Sequence, residues 1–174
     1  MNKKINNITT AALLTATICI SSMLSVNVIG ISFSLALFGV FLSGLILSPL
    51  YAFMSNLTFI LIGIVGIPVF ANFSSGIGTI LGPSGGFIIS YPFIALAISL
   101  MTFLFGCTFY KRFIYCSLGL LLCYITGTVW YSVVYSCSIK QAVLVCVVPF
   151  ILIDLAKIFL SCYVANIIIK HIKK

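Results

Sequence analysis

From Ile5 to Tyr110 the chain runs through 106 consecutive residues without one Asp, Glu, Lys, Arg or His. No water-facing surface can be built from such a stretch, because soluble chains carry about 25 % charged residues. The full 174 residues are 63 % apolar and 6 % charged. Together these features predict an integral membrane protein. A membrane-crossing helix takes roughly 20 residues, so six of them consume about 120. What remains suffices for short connections and tails, and a soluble catalytic domain has no room.

Apolar runs broken by Pro, Gly, Asn or charge predict six helical spans, near 8–26, 31–48, 50–70, 87–107, 113–136 and 142–169. The fold expected is an all-α, polytopic bundle forming a single integral membrane domain over residues 1–174. Two breaks are slight: Ser48 with Pro49 between the second and third spans, and Asn27 to Gly30 between the first two. Lys3 and Lys4 ahead of an apolar run imitate a secretory signal, but with no soluble domain after it the run reads as a retained first helix.

The net charge of +8 would suggest nucleic acid in a soluble protein. Here the basic residues sit between or beyond apolar runs, where they read as topology signals and no nucleic-acid partner is expected. With both tails in the cytoplasm of a multi-pass cell-membrane protein, Lys3, Lys4, Lys111, Arg112, Lys170, Lys173 and Lys174 lie inside. Lys140 then lies outside and Lys157 within a span. An even number of helices satisfies this distribution, whereas five or seven would put one basic tail on the wrong face. The seven cysteines (Cys19, Cys107, Cys116, Cys123, Cys137, Cys146 and Cys162) form no CxxC pair and accompany a single His. They read as small apolar helix residues, and no metal is expected.

Chemistry concentrates in few places. Residues 71–86, ANFSSGIGTILGPSGG, hold five glycines among 16 residues between the third and fourth spans. Backbone amides and carbonyls cannot face lipid unpaired, so this segment lies at the surface, as a plain linker, or folds over a cavity as a lid. No GxxxxGK[ST] motif occurs, which excludes a P-loop ATPase. The sole acid, Asp154, stands three residues before Lys157 in the last span, on one helix face. Translocon scales charge each group about 2.5–3.5 kcal/mol near a helix centre, so both turn inward. They serve either as a mutual packing pair or as a polar site in which Asp154 accepts from ligand N–H groups and Lys157 donates. Trp130, with Tyr124, Tyr131 and Tyr135, forms an interfacial belt or a pocket wall. Ala12 and Ala16 make a small-xxx-small patch that permits close helix contact. One Asp, and one His in a tail, leave acid–base or metal catalysis unstaffed, so no enzyme, catalytic residue or cofactor is expected.

Several of these residues carry a family resemblance. Gly-Ile-Pro-Val-Phe-Ala at 66–71, Leu-Gly-Pro-Ser-Gly-Gly-Phe at 81–87, Tyr124 with Gly127-Thr128-Val129-Trp130, and Pro149-Phe150 with Asp154 and Lys157 resemble the BioY family, in order and spacing, from Ala12 to about Ala165. That family comprises the membrane-embedded biotin-binding S components of energy-coupling factor transporters. The resemblance implies a six-helix bundle that captures biotin from outside. It also implies a transmembrane coupling subunit and two ABC-type ATPases as partners, which would account for the missing P-loop. It assigns Asp154 and Lys157 to the biotin site, with Tyr124 and Trp130 beside them. Gly82, Ser84, Gly85 and Gly86 fall to its cover, Asn72 to a ureido contact, and Ala12 with Ala16 to docking on the coupling subunit. The chain departs from the family pattern in Leu152-Ile153, where Pro-Gly is frequent, in Ser34-Leu35-Ala36, and in a loop less purely glycine. A different small vitamin, or a purely structural membrane role, are the competing expectations.

Overall fold

In the computed structural model, residues 3–28 and 31–172 are described. Helices build almost all of it: α1 (Lys3–Met23), α2 (Ala36–Ile46), α3 (Pro49–Ile64), α4 (Ile77–Leu81), α5 (Gly85–Phe105), α6 (Phe109–Val134), α7 (Ile139–Cys146) and α8 (Ile151–Ile172). Among the described residues four helices, α1, α5, α6 and α8, are long and apolar enough to cross a membrane. At 1.5 Å per residue, α2 and α3 rise only about 16 and 24 Å, short of the roughly 30 Å hydrocarbon core.

Two expected spans are corrected in detail. The second was expected to be helical from residue 31, but Ile31–Ser34 forms strand β2, paired antiparallel with β1 (Ser25–Val28) so that Ser25 faces Ser34 and Val28 faces Ile31. The reason lies in the pattern: Ser-Val-Asn-Val and Ile-Ser-Phe-Ser alternate polar and apolar residues with the period of a strand. The expected last span, 142–169, is two helices. Helix α7 begins earlier, at a capping box in which Ser138 Oγ accepts from the Gln141 amide and Gln141 Oε1 accepts from the Ser138 amide. It stops at Cys146, and Pro149 lies in the turn before α8. Proline disfavours the helical conformation of the residue before it and offers no N–H to a preceding turn.

The core lies where α2 threads between α1, α3, α5 and α8. Phe41, Phe59, Phe70, Ile18, Ile94, Ile98 and Ile158 are fully buried there. Outward faces remain apolar, with Leu13, Ile20, Phe103, Leu121 and Leu152 exposed, as expected where lipid replaces water. Many polar side chains inside the bundle are paired locally or across helices, whereas the buried Thr102 and Thr128 hydroxyls and Asn56 Oδ1 make no hydrogen bond. Thr15 Oγ1 and Ser55 Oγ lie 2.9 Å apart between α1 and α3, Asn56 Nδ2 donates to Ser43 Oγ at 2.8 Å between α3 and α2, and Ser99 Oγ donates to the Leu47 carbonyl at 2.6 Å. Such bonds act as glue where lipid offers no partner.

Close crossings depend on glycine. A Cβ at Gly44 would stand 2.9 Å from Ile98 Cβ and 3.0 Å from the Ala95 carbonyl oxygen, so a side chain there would drive α2 from α5. Overpacking of this kind costs about 1–3 kcal/mol. Gly44→Leu is therefore expected to lower the melting temperature of the detergent-solubilised protein by several degrees, whereas an unchanged transition would show that the α2–α5 crossing is loose.

Candidate functional site

At one end of the bundle the β1–β2 hairpin meets Ala71–Phe73, and the segment 71–84 and the end of α7 stand around the same opening between α5, α6 and α8. Beneath them opens a cleft whose polar floor is built from α8. Asp154 and Lys157 are 2 % and 4 % exposed. Their one-turn spacing puts Lys157 Nζ 3.0 Å from Asp154 Oδ1. Neither relies on the other alone. Tyr124 on α6 donates its hydroxyl to Asp154 Oδ2 at 2.6 Å, and Lys157 Nζ donates to the Ser34 carbonyl at 2.7 Å. The floor thus ties α8 to α6 on one side and to the hairpin on the other. An isolated buried charge costs far more than a paired, hydrogen-bonded one. Two of the roughly four acceptor positions on the carboxylate are taken by these partners, so it can still receive N–H groups from a ligand.

The remaining walls are apolar and hydroxylic. Leu37, Phe87, Ile88, Tyr91 and Phe150 supply the apolar surface, and Ser22, Ser74, Thr79 and Ser84 line the polar parts. Tyr91 is held by a stacked Phe59, 6.3 Å between ring centroids.

The segment 71–86 forms a one-turn 3₁₀ helix at Ala71–Phe73, the short α4, and the first turn of α5. It is fastened at both ends. The Phe70 ring packs edge-on against Phe59 at 5.4 Å, and the Gly76 amide donates to the Gly63 carbonyl at 2.7 Å. At the other end, Trp130 Nε1 donates to the Gly82 carbonyl at 2.9 Å. A Cβ on Gly86 would overlap the Trp130 side chain, and one on Gly85 would overlap the Ile80 carbonyl. These two glycines are what let α5 start directly beneath the segment.

The expected site residues therefore separate into groups. Asp154, Lys157, Tyr124 and Ser84 line the cleft. Gly82, Gly85, Gly86 and Trp130 form an interlock that seats the segment above it. Asn72 has its side-chain oxygen accepting from Ser25 Oγ at 3.0 Å and its amide donating to the same oxygen at 2.7 Å, which joins the segment to the hairpin. Ala12 and Ala16 are exposed on α1, in an open apolar groove shared with Leu50, Met54 and Thr58 of α3. Sequence reasoning missed the Ser34 carbonyl and the wall residues Ser22, Ser74, Thr79, Phe87 and Tyr91. The Ser34 contact spans 123 positions and uses a main-chain atom, for which no side-chain pattern exists. The hydroxyls cluster at one end of otherwise apolar spans, a signal present in the sequence.

An apolar bundle with an inward-facing ion pair beneath a seated roof defines a multi-pass membrane protein that encloses a small polar cleft. Comparison with known proteins makes the assignment specific. The profile of the BioY family matches residues 1–174, and the chain belongs to that family. A probable biotin transporter BioY of Pyrococcus horikoshii is 36 % identical over 155 residues, 88 % of this chain and 90 % of that protein. The biotin transporter BioY of Thermotoga maritima is 31 % identical over 160 residues, 89 % and 90 % of the two chains. The fold matches the crystal structure of the S-component for biotin from an ECF-type ABC transporter, with a TM-score of 0.89 at 24 % identity, over 98 % of this chain and 95 % of that one.

Replacing Trp130 by Phe keeps the ring and removes the donor to Gly82. A carbonyl left without its partner costs about 1–3 kcal/mol. Amide exchange over residues 77–84 is expected to accelerate about tenfold in Trp130→Phe with helical content unchanged. Exchange equal to the parent's would mean that the indole does not seat the roof.

Proposed function

We propose that the chain is the biotin-capturing S component of an energy-coupling factor transporter. The observation that carries this reading is the paired floor, Asp154 with Lys157, set in a cleft of a chain that belongs to the BioY family. Biotin offers a ureido ring with two N–H donors and one carbonyl acceptor. Asp154 accepts from the N–H edge, Lys157 donates to the carbonyl, and Tyr124 orients the carboxylate. The apolar walls take the thioether ring and its aliphatic tail. The segment 71–86 closes over the occupied cleft, with Gly82, Ser84, Gly85 and Gly86 at the end that Trp130 fastens and Asn72 as its bridge to the hairpin. The chain is not an enzyme: it binds and releases its ligand unchanged.

In this reading the whole chain is one membrane domain that crosses six times, through α1, the hairpin with α2, α3, α5, α6, and α7 with α8. The hairpin extends the short α2 toward the outer face. Both termini lie in the cytoplasm, where Lys4, Lys111, Arg112 and Lys170 satisfy the positive-inside rule. Lys173 and Lys174, also counted inside, lie outside the described residues. This orientation turns the cleft outward, as capture from the environment requires. Energy comes from partners, a transmembrane coupling subunit and ABC-type ATPases, because this chain carries no P-loop. Ala12 and Ala16 on the exposed face of α1 allow the coupling subunit's helices close approach.

Retention of radiolabelled biotin by the purified protein in detergent tests the reading directly. Asp154→Asn is expected to weaken binding about tenfold or more, since an unpaired ligand edge costs about 1–3 kcal/mol. Full affinity in both Asp154→Asn and Lys157→Met would remove these residues from the site, and displacement by another vitamin rather than biotin would change the ligand.

Docking separates from capture in a second measurement. The double change Ala12→Leu with Ala16→Leu is expected to leave biotin affinity near normal and to abolish uptake in cells expressing the coupling subunit and ATPases. Uptake that survives overturns the docking role, and binding that collapses along with uptake makes the alanines packing residues of the bundle.

A further inference from the structure

Resting on the biotin reading, the charge inventory of the cleft bears on which ligands it takes. Ten of the fifteen lining residues come from the stretch Ile5–Tyr110, which contains no ionisable acid or base of the Asp, Glu, Lys, Arg or His kind. The other five are Tyr124, Cys146, Phe150, Asp154 and Lys157. Among the described residues, one cation therefore lines the cleft, and one anion sits 3.0 Å from it. The cleft is neutral as a whole. Lys140, at the start of α7, is exposed and does not line it.

We infer that this cleft accepts biotin derivatives whose carboxylate has been neutralised, namely biotin amides and esters, about as well as biotin itself. Were Lys157 to take the ligand carboxylate, two negative groups would share one ammonium in a site of low dielectric, and like charges so placed disfavour each other strongly. The other polar surface available to the tail is hydroxylic: Ser22, Ser74, Thr79 and Ser84. Ser74 Oγ and Thr79 Oγ1 already donate to the Ala71 and Ser75 carbonyls, so these two accept from a carboxamide N–H and hold no spare proton for a carboxylate. Backbone amides at the start of α5 add no full charge, and those of Gly85 and Ile88 already donate to the Gly82 and Ser84 carbonyls. A ligand anion here gains no full countercharge to offset its desolvation. A neutral tail has no such cost.

The test is binding of biotin, biotinamide and biotin methyl ester to the full-length protein in detergent, each by displacement of radiolabelled biotin and by its own thermal stabilisation. Biotinamide and the ester are expected within about tenfold of biotin, less than the loss that follows when a charge-assisted hydrogen bond is removed. A deficit greater than about tenfold for both, with biotin bound normally, overturns this inference and leaves the biotin reading intact, because it places a dedicated anion partner on the tail. Failure of biotin and of both derivatives to bind overturns the biotin reading and this inference together.

Discussion

Within an apolar bundle, the contact on which the rest depends is the neutral pair of Asp154 and Lys157. Either charge alone would be expelled from the interior. Together they stay, provided further hydrogen bonds support each of them. That condition recruits Tyr124 from α6 and the Ser34 carbonyl from β2, so the demand for polar satisfaction sets how α8 sits against its neighbours. The hairpin is held in place by the ammonium, the hairpin holds Asn72 through Ser25, and Asn72 lies in the segment 71–86, four of whose residues line the cleft. A single electrostatic requirement is thus passed from the floor of the cleft to its roof.

The roof meets the same requirement by different means. Its backbone cannot rest against lipid with unpaired groups, and it spends those groups on protein: the Gly82 carbonyl on Trp130, the Gly76 amide on Gly63. Glycine at 86 removes the Cβ that would hold α5 away from Trp130 of α6, and glycine at 85 removes one that would overlap the Ile80 carbonyl of α4. The glycine-rich composition is therefore a matter of close approach at one end of the segment. At Gly76, by contrast, φ is +84°, and the residue supplies a conformation that side chains resist.

Much of this architecture is legible in the sequence, and the limits have physical causes. The uncharged run to Tyr110 can only be membrane-embedded, and Asp154 with Lys157 can only face inward. The strand pair at 25–34 is written in period-two alternation, yet its short length lets it pass for the end of one helix and the start of the next. The split of the last span at Pro149 is signalled by proline but masked by continuous hydropathy. Tyr124 is visible as an aromatic near a boundary, and its bond to Asp154 depends on the packing of α6 on α8. Ser34 illustrates the hardest case. Its side chain reads as a departure from the family pattern, while the group that matters is its carbonyl.

That last feature bears on how such a protein tolerates change over generations. Two fastenings of the cleft, Lys157 to Ser34 and Trp130 to Gly82, end on main-chain oxygens. A main-chain oxygen is present whatever side chain the residue carries. Substitution at position 34 leaves that acceptor in place so long as the strand keeps its path, and what it forfeits is the separate bond that Ser34 Oγ accepts from the Ala36 amide at 3.3 Å. Position 82 keeps its acceptor likewise, with its own freedom set by the neighbouring carbonyls of 78 and 79. Selection would then be read unevenly across the two halves of each contact, stringent on the donor and permissive on the acceptor.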